Sequence, residues 1–194
     1  MNASPYDRAE TITIVTGLPR SGTSMMMQML NAGGIPPWTD KVRESDADNP
    51  KGYYEYEKVK SLARDNSWLA EAKGHAIKIV APLLPSLPAG AYHIIFMKRD
   101  MDEVLRSQSE MLKRSAKSGA RLSPEQLASV FQGHLRRAEE MIKNAAYPAL
   151  SIEHRKCLDD PAAVAGEVSS FFGGELDEAA MAAAVDGTLY RQRA

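Results

Sequence analysis

Apolar side chains occur in short unbroken runs that alternate along the chain with longer segments of helical spacing. The runs are rich in β-branched residues and fall at 12–15, 75–80, 92–97 and 148–152. They lack the regular polar positions of a strand with one solvent-exposed face. The pattern therefore predicts four strands of a mainly parallel sheet that is covered on both faces.

Segments between and after these runs carry apolar residues at helical spacing. Asp100 and Glu103 fit a capping box, D-x-x-E, at one helix start. At another, Ser123 is the cap, Pro124 is the first helical residue and Gln126 completes the capping box. The helices predicted from spacing and start signals cover about 25–30, 53–72, 101–112, 124–142, 161–171 and 176–185.

Strands that alternate with helices predict an α/β fold, here a three-layer sandwich around a mainly parallel sheet. The length fits a single domain spanning 1–194. In such sheets ligands bind beyond the carboxyl ends of the strands. The segments 17–24, 82–88 and 98–100 each follow a predicted strand. We expect the functional residues at the edge that these segments share.

The composition narrows the classes of function. The chain has 24 Lys and Arg against 25 Asp and Glu, so its net charge predicts neither nucleic acid nor a membrane as a partner. No apolar run approaches about 18 residues and the N-terminal segment does not resemble a signal peptide, so we expect a cytoplasmic protein. Cys157 is the sole cysteine and is expected to be a packing residue. His93 and His154 are expected to be structural or exposed.

The glycine-bounded turn after the first predicted strand carries most of the chemistry. Gly17 and Gly22 enclose four residues, and an apolar helix begins directly afterwards. Unpaired amides and the dipole at a helix N-terminus favour an anion. Arg20 adds a fixed positive charge. Hydroxyl donors are supplied by Ser21, Thr23 and Ser24. The turn therefore predicts a phosphate-like ligand.

The residue types in this turn indicate which phosphate it binds. A nucleoside-triphosphate loop reads G-x-x-x-x-G-K-[ST], but Thr23 stands in the lysine position and the cation lies at Arg20. The turn instead resembles the 5′-phosphosulfate loop of sulfotransferases, P-[KR]-S-G-T-[ST], which reads here Pro19-Arg20-Ser21-Gly22-Thr23-Ser24. The resemblance implies the P-loop-like sulfotransferase fold. It also implies the donor 3′-phosphoadenosine-5′-phosphosulfate (PAPS), with adenosine 3′,5′-bisphosphate as product.

A second pair of residues is similar to the same family. Arg99 follows the strand at 92–97, and Ser107 lies eight positions on, about 12 Å along a helix. Sulfotransferases place an arginine and a serine at this spacing on the 3′-phosphate of the donor. The resemblance therefore implies that Arg99 and Ser107 bind that phosphate. The segment 153–173 shows a looser likeness to the family pattern E-x-L-x-x-D-P followed by F-L-G.

Three residues are candidates for the transfer step. We expect Arg20 to stabilise charge on the leaving side. Lys78, a cation in an apolar run, matches a strand lysine that in the family often lies near the transferred group. Small-molecule sulfotransferases have a histidine two residues after that lysine, where this chain has Val80. Other branches use a glutamate as the base, and Glu55 is the best candidate for that role.

The expected reaction is transfer of a sulfuryl group from PAPS to a hydroxyl or amine of a small-molecule, glycan or peptide acceptor. No metal is expected, and the loops at 34–54 and 113–122 would select the acceptor. One alternative is a P-loop small-molecule kinase, against which Thr23 counts. Another is a non-catalytic member of the family that binds a nucleotide or a protein partner. The sequence leaves the oligomeric state open.

Overall fold

A four-stranded parallel sheet forms the centre of the fold. The computed structural model describes residues 6–40, 52–115 and 122–187. Within these ranges the strand order is β2-β1-β3-β4, and every pairing between neighbours is parallel. The strands are β1 Ile12–Gly17, β2 Ala76–Lys78, β3 Tyr92–Lys98 and β4 Ala149–Glu153. They confirm the strands predicted from the apolar runs.

Helices cover the sheet on both faces. The α-helices of the described ranges are α1 Thr23–Ala32, α2 Met101–Ser115, α3 Pro124–Asn144, α4 His154–Asp159, α5 Pro161–Phe171 and α6 Glu178–Ala184. Short 3-10 helices lie at Glu57–Ser61, Ser67–Ala72 and Leu84–Ser86. None of the helices in the described ranges is long and apolar enough to cross a bilayer.

The strands β1, β2 and β3 each contribute to two hydrophobic cores because their side chains alternate between the faces of the sheet. Ile14 and Ile94 are fully buried on the face covered by α3 and the 3-10 helices. Val15 and Ile95 are fully buried on the opposite face, against α1 and α5. The two cores make the fold the three-layer α/β sandwich that the sequence predicts.

The single helix predicted over 53–72 is wrong. This stretch forms two separate 3-10 helices, Glu57–Ser61 and Ser67–Ala72. Between them the Asp65 carboxylate accepts hydrogen bonds from the Ser67 amide, at 3.1 Å, and from the Ser67 hydroxyl, at 2.7 Å. Side chains that bond the backbone locally compete with helical hydrogen bonds, so the helix is interrupted here.

The two predicted capping boxes have different outcomes. At α3 both hydrogen bonds form: Gln126 N–H donates to Ser123 Oγ at 3.3 Å, and Ser123 N–H donates to Gln126 Oε1 at 2.9 Å. At α2 the Glu103 amide donates to Asp100 Oδ1 at 3.0 Å. The Glu103 carboxylate accepts from Arg99 Nε, a partner that the box does not predict.

Smaller differences concern helix ends and one helix face. The six-residue α4 is not predicted, because a helix this short shows too little of the helical period. The last helix is shorter than predicted and begins after Asp177, whose carboxylate accepts from the Ala180 amide at 2.9 Å. Val130 shares the helical spacing of the apolar residues in α3, yet it is 41% exposed.

Replacing Ser123 with Ala should lower the free energy of unfolding by about 1 kcal/mol, because the Gln126 amide loses its acceptor. Ser129→Ala, at an exposed position within the same helix, should change it by less than about 0.5 kcal/mol. Urea unfolding measures both variants, and equal losses would contradict the stabilising role of the cap.

Candidate functional site

The loop after β1 and the end of β3 lie side by side at the carboxyl edge of the sheet. β1 continues into α1, which packs on one face, whereas β3 leads through α2 to α3, which packs on the other. Neighbouring strands whose connections leave toward opposite faces define the crevice in which such sheets bind ligands. Arg20 lies in the first of these connections and Arg99 at the start of the second.

The loop turns through two residues with left-handed backbone conformation. Gly22, the N-cap of α1, has φ 94°, a conformation that glycine adopts readily. Arg20 has φ 71°, which is costly for a residue with a side chain. The Ser21 amide donates to the Leu18 carbonyl at 3.1 Å and closes the turn. The surrounding structure therefore holds Arg20 in a strained conformation, as is common at ligand sites.

The first turn of α1 has no side-chain cap and no negative charge. Its N-cap makes no side-chain hydrogen bond to the first turn, and that turn contains no acidic residue. The Ser21 side chain is 1% exposed, and its hydroxyl finds no hydrogen-bond partner among the described residues. Because a buried polar group without a partner costs free energy, an anion bound at these amides would also satisfy Ser21.

Arg99 and Ser107 connect the end of β3 to this loop. Arg99 Nη1 donates to the Arg20 carbonyl at 2.8 Å, and Arg20 Nε donates to Ser107 Oγ at 3.0 Å. Arg99 Nε also pairs with the Glu103 carboxylate at 2.9 Å, and both side chains are largely buried. The fold thus joins the two segments that the sequence predicts, separately, to bind anions.

Lys78, Glu55 and Ser24 meet at the end of β2. Lys78 points to the α1 face of the sheet, because its strand neighbours point into the opposite core. Its ammonium group donates to Ser24 Oγ at 3.3 Å, to the Tyr53 carbonyl and to Glu55 Oε1 at 3.2 Å. The Lys78 side chain is 6% exposed and that of Glu55 28%. A buried cation therefore links the first turn of α1 to a carboxylate that solvent can reach.

His154, expected from the sequence to be structural or exposed, is a buried residue of this edge whose contact with the loop the sequence does not predict. It follows β4 directly and is 8% exposed, with its ring against Gly22. Burial, and then the charge of Arg99, lowers the pKa of His154 to about 4, so the imidazole is neutral at neutral pH. Its position after a predicted strand was the available signal, but a lone histidine forms no motif.

Cys157 lies one turn further along α4 and is fully buried in the core around α5. Burial raises the pKa of its thiol to about 12, so it is not a thiolate at neutral pH. Cys157 is thus the packing residue that the sequence predicts.

The two loops expected to select the acceptor lie partly outside the described residues, which omit 41–51 and 116–121. Among the described parts, Tyr53 and Tyr54 stand next to Glu55, and the Lys78 ammonium lies 5.7 Å from the centre of the Tyr53 ring. Tyr54 has φ 52°, a second strained position close to the candidate site.

The fold resembles those of solved sulfotransferases. The sulfotransferase domain of the Synechococcus PCC 7002 olefin synthase aligns over 97% of this chain and 83% of its own, with TM-score 0.53 and 13% identity. A sulfotransferase from Alicyclobacillus acidocaldarius aligns over 91% and 85%, with TM-score 0.52 and 16% identity. Retinol dehydratase, solved with androsterone and the inactive cofactor PAP, aligns over 89% and 62%, with TM-score 0.53 and 13% identity.

No family model matches the sequence, and no curated protein matches it either. At these identities the structural likeness defines the fold: the chain has a sulfotransferase-like α/β fold.

The buried imidazole of His154 predicts a loss of stability in acid. The unfolded chain binds a proton at His154 below about pH 6.5, whereas the folded protein resists it until about pH 4. The stabilisation is complete above pH 6.5 and about 3 kcal/mol of it should be lost as the pH falls to 4. His154→Phe should flatten this pH dependence in urea unfolding, and Cys157→Ala should keep it. An unchanged slope in His154→Phe would contradict the assignment.

Proposed function

We propose that the protein is a PAPS-dependent sulfotransferase that transfers a sulfuryl group to a hydroxyl or amine of an acceptor. The observation that best supports this proposal is the contact between two segments that we expect to bind anions. Arg99 donates a hydrogen bond to the Arg20 carbonyl, and Arg20 donates one to the Ser107 hydroxyl. The likeness of the fold to sulfotransferases, one of them solved with PAP, supports the proposal.

The two segments would hold the two phosphate-bearing positions of the donor. The loop of Pro19, Arg20, Ser21, Gly22, Thr23 and Ser24 would bind the 5′-phosphosulfate through helix amides, hydroxyls and one guanidinium. Arg99 and Ser107 would bind the 3′-phosphate. The uncapped start of α1 and the buried Ser21 hydroxyl fit such an anion. PAPS, when bound, supplies the sulfuryl group.

Glu55, Lys78 and Arg20 would provide the chemistry on the side of the protein. Glu55 is partly exposed and pairs with Lys78, which contacts the first turn of α1 at Ser24, so Glu55 would take the proton of the acceptor hydroxyl or amine. Arg20 and the loop amides would stabilise the negative charge that develops on the leaving phosphate. Lys78 contacts both Ser24 and Glu55 and would place a cation between the donor loop and the base.

The loop favours this donor over a nucleoside triphosphate. Thr23 is buried in the position where a triphosphate loop has its lysine. The cation of the loop, Arg20, is directed instead toward Ser107, the residue expected at the 3′-phosphate. If this protein were a kinase, it would therefore lack the lysine that reaches the β- and γ-phosphates of the nucleotide.

Adenosine 3′,5′-bisphosphate should stabilise the protein against thermal unfolding, and ATP with Mg²⁺ should not. At about 100 times its dissociation constant the ligand contributes roughly 2.7 kcal/mol. The Ser107→Ala variant should bind adenosine 3′,5′-bisphosphate about tenfold more weakly, because a hydrogen bond to the charged 3′-phosphate is lost. Ser109→Ala, exposed on the same helix, should retain the full shift. Stabilisation by ATP and Mg²⁺ alone would indicate a kinase.

Glu55→Gln should lower kcat by at least about 100-fold, because it removes the general base, while bisphosphate affinity changes less than about threefold. Glu57→Gln, exposed and two residues further on, is the matched control and should keep kcat. Transfer from labelled PAPS to a panel of phenols, amines, glycans and peptides measures both. Binding of the bisphosphate without any turnover in the parent protein would favour the non-catalytic alternative.

A further inference from the structure

We propose that His154 is a positioning residue for the loop after β1: its ring supports Gly22 and so fixes the direction of the first amides of α1. His154 stands more than a hundred positions from the loop in sequence and belongs to the β4–α4 junction. The contact between His154 and Gly22 supports the positioning of the loop directly. The effect of His154 on donor binding rests on the proposed function.

The ring occupies the space beside the Gly22 backbone. A Cβ built on Gly22 would lie 2.5 Å from His154 Cδ2 and 3.5 Å from its Cγ and Nε2. Real Cβ atoms do not approach a neighbour as closely as the first of these distances, so the imidazole sits where another residue would have its side chain. His154 and Gly22 therefore fit together as a ring against a bare backbone.

The register of the sheet brings His154 to this place. Lys98 of β3 pairs with Glu153 of β4, so the residues that follow, Arg99 and His154, emerge at the same level of the carboxyl edge. Three charged side chains act on the imidazole: Arg99, which lies just before α2, Glu103 within α2, and Arg155, which follows His154 on α4. His154 thus borders both the loop and the arginine that holds the loop.

A support at Gly22 matters because anion binding by helix amides requires them to converge on one point. Glycine has more backbone freedom than any other residue, and the neighbouring Arg20 is held at φ 71°. Without the ring, the strained loop could relax into the space left behind. We therefore expect loss of His154 to affect the loop more than the stability of the fold.

The test compares three variants. His154→Ala removes the ring, and His154→Phe keeps a planar ring of similar shape. Cys157→Ala perturbs the same helix at a residue buried in the core around α5. Amide hydrogen exchange of residues 21–26 in the ligand-free protein reports on the loop itself. Calorimetry with adenosine 3′,5′-bisphosphate reports on donor affinity, and urea unfolding reports on stability.

In His154→Ala we expect exchange in the 21–26 segment to be at least about fivefold faster and the dissociation constant to rise about tenfold. His154→Phe should stay within about threefold of the parent in exchange rate and in dissociation constant. Cys157→Ala should leave both quantities unchanged, although it loses as much stability as His154→Ala. Unchanged exchange in His154→Ala would overturn the proposal. So would equal effects in Cys157→Ala, or a loss in His154→Phe as large as in His154→Ala.

The two readouts separate this inference from the proposed function. If the parent protein binds no bisphosphate, the proposed function fails, while hydrogen exchange in the free protein still decides whether His154 positions the loop. If exchange changes but bisphosphate affinity does not, the role of His154 in donor binding is overturned.

Discussion

The hydrogen bond from Arg99 to the backbone carbonyl of Arg20 is the interaction on which the site depends. It spans 2.8 Å between segments that lie 79 positions apart in the chain, and it joins the carboxyl ends of two neighbouring strands. Arg99 can hold the loop because Glu103 orients its guanidinium from within α2. The carbonyl it holds belongs to a residue in a strained conformation. The loop after β1 and the segment from Arg99 to Ser107 are therefore one structural unit.

This unit also explains the distribution of charge at the carboxyl edge. Arg99 is paired with Glu103, and Lys78 with Glu55, whereas Arg20 contacts the neutral hydroxyl of Ser107. Placing each buried cation next to a partner limits the cost of removing it from water.

The strands β1, β2 and β3 could be predicted from the sequence because they are buried on both faces, so each appears as a continuous apolar run. The Gly17–Gly22 spacing likewise located the loop, because the two glycines enclose four residues directly before an apolar helix. The helix over 53–72 could not be excluded in advance. Its apolar spacing fits a helix, and the interruption depends on the side chain of Asp65 bonding the backbone of Ser67.

The candidate site likewise contains residues that could be predicted from the sequence and contacts that could not. Arg20, Arg99 and Ser107 belong to local patterns, so sequence reasoning could select them, although their functional roles remain predictions. Their mutual contacts could not be selected, because these follow from strand register. The capping-box pattern selects Glu103 but not its pairing with Arg99. His154 carries no pattern of its own, and its position becomes apparent once β1, β3 and β4 are seen side by side.

A crystal structure with adenosine 3′,5′-bisphosphate tests the central claim most directly. We expect the 5′-phosphate at the first amides of α1, close to Ser21, and the 3′-phosphate on Arg99 and Ser107. The Arg20–Ser107 contact should then be shared with the ligand. A nucleotide bound away from the β1–β3 crevice, or one bound with its 3′-phosphate remote from Arg99, would contradict the claim.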